Sequence, residues 1–114
     1  MDKLNGKIYW FLGDLKDMTG DFKTTGQVSS ISDIRMDDNF IEFQWHSNSD
    51  FWGGSVNLLA EHGSNYKGTA KIIYSVKSID VSAELFKNGK NFFLRGSWLE
   101  DGAYYTWFAE IKNN

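Results

Sequence analysis

From Gln27 to the end of the sequence, apolar and polar residues alternate with a period of two. The alternation is interrupted by Asp-Asn, Ser-Asn-Ser, His-Gly-Ser, Asn-Gly and Asp-Gly. Short alternating runs between such turn residues are the pattern of strands with one buried face, in a sandwich or a barrel. The pattern predicts eight strands, at 7–12, 27–36, 40–46, 51–60, 66–74, 78–86, 91–99 and 103–111. Only 14–18 has the spacing of a helical turn. No second domain, linker or repeat interrupts the series, so 1–114 reads as a single domain.

The turn residues set an expected register. Asn88-Gly89 and Asp101-Gly102 each suit a two-residue type I′ hairpin. The first pairs Leu85 with Phe92, Ala83 with Leu94, Val81 with Gly96 and Ile79 with Trp98. The second pairs Phe92 with Ile111, Leu94 with Ala109, Gly96 with Trp107 and Trp98 with Tyr105. Both hairpins put their apolar residues on the same face, a mutual consistency expected of a foldable sequence. Extended backwards, a turn at Asp38-Asn39 pairs Met36 with Ile41, Ile34 with Phe43 and Ser32 with Trp45. Further loops pair Trp45 with Trp52, Leu58 with Gly68, Trp52 with Tyr74, and Tyr74 with Ile79. Seven in-phase antiparallel strands either fold over into a sandwich or close. Closure through the first strand, with Ile8, Trp10 and Leu12 inward, removes both exposed edges. The expected fold is therefore all-β, an eight-stranded antiparallel up-and-down meander barrel with a long first connection, with a β-sandwich as the alternative.

Composition narrows the chemistry. With 114 residues, 41% hydrophobic and 24% charged, the chain lies in the ordinary globular range and is long enough for a core. Zero Cys excludes disulfides, thiol nucleophiles and thiolate metal sites. A net charge of −3 argues against a nucleic-acid partner, whose binding needs clustered Lys and Arg. No apolar run approaches the ~18 residues of a membrane helix, and the first residues lack the apolar region of a signal peptide. The expectation is a cytoplasmic protein with no membrane partner.

The unusual quantity is 17% aromatic residues, with 5 Trp. One expected inward row runs Ser32, Trp45, Trp52, Tyr74, Ile79, Trp98, Tyr105, near the barrel end that holds the 13–25 loop. The next row runs Ile34, Phe43, Gly54, Ile72, Val81, Gly96, Trp107. An eight-stranded barrel is just wide enough to be filled by side chains or to hold one small ligand. Two readings follow. In one, Trp107 covers Gly96 and the aromatics are core. In the other, small residues such as Ser30, Ser32, Gly54, Ala83 and Gly96 leave a cavity beneath an aromatic mouth. Buried Trp needs a partner for its indole N–H, which favours a wet or ligand-filled pocket. The expected lining is Trp45, Trp52, Tyr74, Trp98, Tyr105, Trp107, Ser32 and His46, with the 13–25 loop as lid and a small apolar or aromatic molecule as ligand.

Eight strands in a meander with one long connection after the first resembles the calycin-type barrels: lipocalins, fatty-acid-binding proteins and avidins. The resemblance covers nearly the whole chain and is one of architecture. The lipocalin Gly-x-Trp of the first strand is absent, since Gly6-Lys7-Ile8-Tyr9-Trp10 has a different spacing. The resemblance implies a cavity for a small apolar or flat molecule.

Catalytic and metal signals are weak. His46 ends the third strand and His62 follows the fourth, so roughly 9 strand residues, near 30 Å, separate them and they share no metal. His46 beside Asp50 is a candidate general base, although a solvated turn histidine is far commoner. Asp14, Asp17 and Asp21 lack calcium-loop spacing, and Gly53-Gly54 precedes no helix and follows no phosphate-loop pattern. No cofactor or metal is expected. The outward face is a second clue. Phe51, Leu59, Ile73, Phe86, Phe93, Leu99, Tyr104 and Phe108 point away from the interior, with Phe93 between Glu84 and Glu110 and Arg95 over Phe108. Contiguous apolar surface marks interaction sites. Phe86, Phe93, Arg95, Tyr104 and Phe108 are therefore a candidate interface, for a homodimer or for a protein partner of an inhibitor or immunity-type module.

Overall fold

The computed structural model describes residues 4–13, 27–46, 53–72 and 78–113. Eight strands follow one another as β1 (Leu4–Leu12), β2 (Gln27–Met36), β3 (Phe40–His46), β4 (Gly54–His62), β5 (Asn65–Ile72), β6 (Ser78–Asn88), β7 (Asn91–Glu100) and β8 (Ala103–Asn113). Each pairs antiparallel with the next, and β1 pairs with β8 from Leu4↔Asn113 to Leu12↔Tyr105, so the sheet closes as a barrel. The sandwich alternative is overturned. Closure leaves no strand edge exposed, which an eight-stranded meander with one apolar face would otherwise present.

The turns explain the register where they are tight. Asp101 and Gly102 both have positive φ, 51° and 81°, as a type I′ turn requires. The β7–β8 pairs are those expected: Phe92↔Ile111, Leu94↔Ala109, Gly96↔Trp107 and Trp98↔Tyr105. At the β2–β3 turn, the Asp37 carboxylate accepts from the backbone N–H of Asn39 (2.6 Å) and Phe40 (3.0 Å). That local cap fixes Met36↔Ile41.

Elsewhere the register moves. In the β6–β7 turn only Gly89 has positive φ, 63°, so Gly89-Lys90 form the loop with Gly at the first central position, a type II′ arrangement. Leu85 therefore faces Leu94, and Val81 faces Trp98, two residues from expectation. Trp45 pairs with Gly54, not Trp52, and Ile79 with Ala70, slips of two and four residues. Leu58↔Gly68 stands as expected. An even slip keeps every side chain on its face, so the inward set survives although its rows change.

One shift is odd. Between Ser32 and Arg35 a bulge interrupts the β2–β3 ladder, with Asp33 at φ 51°. Asp tolerates this left-handed conformation better than most residues. Below the bulge Ser32 pairs with Gln44, and Ile31 with Trp45. Ser29 and Ile31 therefore turn inward and are buried, while Ser30 is exposed and Ser32 points outward. The expected inward Leu12 ends its strand in solvent, 66% exposed.

Ile8, Ile41, Leu58, Leu94 and Ile111 are fully buried and fill the barrel half nearest the turns at 37–39, 63–64 and 89–90. Burying each such side chain contributes on the order of 1.5–3 kcal/mol. This half is a packed, apolar core.

Candidate functional site

The other end of the barrel is different. The connections leaving β1, β3 and β5 join their strands here, beside the turn at 101–102. Trp45, Trp98, Tyr105 and Trp107 all belong to this end or to the layer beneath it. The rings of Trp98 and Tyr105, paired across β7 and β8, stack with centroids 5.5 Å apart and planes at 20°. Trp98 also lies 6.3 Å from Trp107 at 37°, and Trp107 meets Phe43 edge-on at 6.3 Å and 61°. Phe43 is on β3 and Trp107 on β8, three strands apart in the closed order. Their contact spans the lumen and forms a floor under the aromatic end.

Glycine positions make room for these rings. A Cβ at Gly54 would run into the Trp45 ring and the Lys71 carbonyl. One at Gly96 would run into the Trp107 indole and the Ser82 carbonyl. The two glycines expected to leave a cavity are thus each covered by an indole. For Gly96 this is the arrangement in which the aromatics act as core. Trp107 is fully buried and Trp45 is 9% exposed.

What the packing leaves undone is polar. The indole Nε1 of Trp98 and of Trp107 are both buried with no hydrogen-bond partner among the described residues, and so is Ser29 Oγ. Trp107 Nε1 lies against Gly96, on the inner face of β7 two residues below Trp98. An unsatisfied buried donor costs about 1–3 kcal/mol, so two in adjacent rings are an uncommon feature. Sequence reasoning found both Trp residues. It missed Ser29 and Ile31 as parts of this interior, because the only signal was an Asp inside a strand, whereas Phe43 lies inward as expected.

Two expected lining residues are corrected. Ser32 and His46 face outward, where the Ser32 hydroxyl lies 2.5 Å from His46 Nε2. The bulge at Asp33 puts Ser32 on that face, and His46 follows by alternation from buried Trp45. Trp52, Tyr74 and Asp50 lie outside the described residues, as do most of the expected lid and the outward Phe51 and Ile73. Gly13, where the expected lid begins, holds its carbonyl on the Thr106 hydroxyl (2.8 Å), and its N–H donates to the Tyr104 carbonyl (2.7 Å). His62 closes β4 at the opposite end from His46, and among the described residues no cluster of His, Asp or Glu forms a metal site.

On the outer face, Phe86 (44%), Leu99 (58%) and Tyr104 (48%) are exposed, and Phe93 and Phe108 are half-buried. Phe93 pairs with Phe86 and Glu110, so it does not sit beside Glu84 as expected. Arg95 pairs with Phe108 across the ladder, but its guanidinium lies over the Phe86 ring at 5.8 Å and bonds Glu84 at 3.2 Å. A groove of about 570 Å³ runs over this face, floored by the short side chains of Ser82 and Ser97, which share a 3.2 Å hydrogen bond. Comparison with family models, curated proteins and solved structures finds no match to this chain.

Proposed function

We propose that this barrel binds a small apolar or aromatic molecule at the end bounded by Trp45, Trp98 and Tyr105, above the Phe43–Trp107 floor. The observation that carries the reading is the pair of buried indole N–H groups on Trp98 and Trp107, which have no partner among the described residues. A site with a largely apolar lining and a few convergent polar groups is the usual form of a small-molecule pocket. The test uses the neutral dye Nile red. Wild-type protein should enhance its emission, Trp98→Ala should abolish the enhancement in a folded protein, and Phe86→Ala on the outer face should retain it. Equal enhancement by wild type and Trp98→Ala counts against the reading.

The exposed Phe86, Leu99 and Tyr104 favour a second reading, a protein-binding surface over β6–β8 for a second copy or another protein. It is compatible with the first, because the two faces of the sheet are distinct.

A further inference from the structure

The site described above has a chemical bias that specifies its ligand. An indole nitrogen donates and never accepts, so Trp98 and Trp107 together call for acceptors. No charged side chain is buried among the described residues, whose buried polar members are Ser29 and Thr106. Thr106 belongs to the outer face, where it holds Gly13. A carboxylate or ammonium moved into this interior would lose its hydration and meet no buried counter-charge among the described residues. At the rim stands Glu100, two residues beyond Trp98 on the same alternation and half-buried beside the 101–102 turn. Its charge opposes an incoming anion.

Resting on the binding reading, we propose that the ligand is uncharged, flat and equipped with a hydrogen-bond acceptor, such as a ketone, quinone or lactone oxygen. The indole N–H groups of Trp98 and Trp107 donate to it while Tyr105 and Trp98 supply the apolar contact. The bound oxygen accepts from donors that have no partner among the described residues, so acceptor-bearing ligands gain over hydrocarbons of the same shape.

Four naphthalene probes of matched shape test this: acetylnaphthalene, ethylnaphthalene, naphthoate and naphthylmethylammonium. Each is titrated into the 114-residue protein labelled at the Trp indole nitrogens, and the indole N–H resonances are followed. Acetylnaphthalene should move the Trp98 and Trp107 resonances and bind about tenfold tighter than ethylnaphthalene, the worth of one good hydrogen bond. Both charged probes should bind at least tenfold more weakly than the ketone. In Trp98→Phe, which keeps a ring and loses the donor, the affinity ratio of ketone to ethylnaphthalene should shrink, and an unchanged ratio would remove the Trp98 N–H as the source of the preference. If ethylnaphthalene matches the ketone, or a charged probe binds tightest, the ligand class is wrong and the binding reading stands. If no probe moves either indole resonance, the binding reading falls as well.

Discussion

Trp107 offers the sharpest stability test because its ring is well packed and its nitrogen is not. Truncating a fully buried Trp to Ala costs about 3–5 kcal/mol in lost burial and cavity formation. The same truncation removes a buried donor without a partner, returning about 1–3 kcal/mol. Trp107→Ala should therefore be roughly 2 kcal/mol less stable than wild type. Trp107→Phe retains a ring against Phe43 and Trp98 and loses only the nitrogen-bearing part of the bicycle, a cost of about 1 kcal/mol. With the same relief, it should lie within about 1 kcal/mol of wild type or above it. A domain of ordinary stability, about 5–15 kcal/mol, stays folded in both cases. Urea titration of ligand-free protein, followed by far-ultraviolet circular dichroism, measures the difference. A Trp107→Phe protein destabilised by more than about 2 kcal/mol refutes the reasoning, since it would mean that the indole N–H has a partner.

Three further outcomes follow from named contacts. Gly96→Ala drives a methyl into the Ser82 carbonyl and the Trp107 indole, and should cost about 1–3 kcal/mol; an unchanged urea midpoint would contradict the packing. Burial, and secondarily Asp38 and Asp37, raise the Tyr66 hydroxyl above its ordinary 10.0. The folded state therefore holds that proton more tightly, and its stabilising effect, complete below pH 10, fades as pH rises through the folded value. Tyr66→Phe should flatten the alkaline limb of a pH–stability curve, and an identical limb would remove Tyr66 as its source. Phe93→Glu, placed between Phe86 and Glu110, should lower the sedimentation coefficient if the outer face joins two copies. An unchanged profile from an assembled wild type would exclude that face.

The fold was legible because its signals were redundant. Asp101-Gly102 set the β7–β8 register residue for residue, and alternation assigned inward faces that slips of two or four residues left intact. The rows of the barrel were less legible, since loop length does not fix register without a tight turn. Loop length alone therefore sets Trp45 beside Trp52, whereas its partner is Gly54. Gly89 also needed one left-handed position where Asn88-Gly89 suggested two. The candidate site suffered most at Asp33, where one extra residue reversed the face of everything before it in β2. Ser32 and His46 left the site by that route and by strand alternation, and Ser29 and Ile31 entered the interior. The Phe43–Trp107 floor depends on which walls approach across the lumen, which local pairing does not encode.

Whether the aromatic end holds a small molecule is read out by native mass spectrometry of protein purified without refolding. The expected result is a folded protomer carrying extra mass that disappears on denaturation and is absent from Trp98→Ala. A wild-type protomer at its sequence mass, which also fails to take up acetylnaphthalene added in excess, would contradict it and leave the indoles as core.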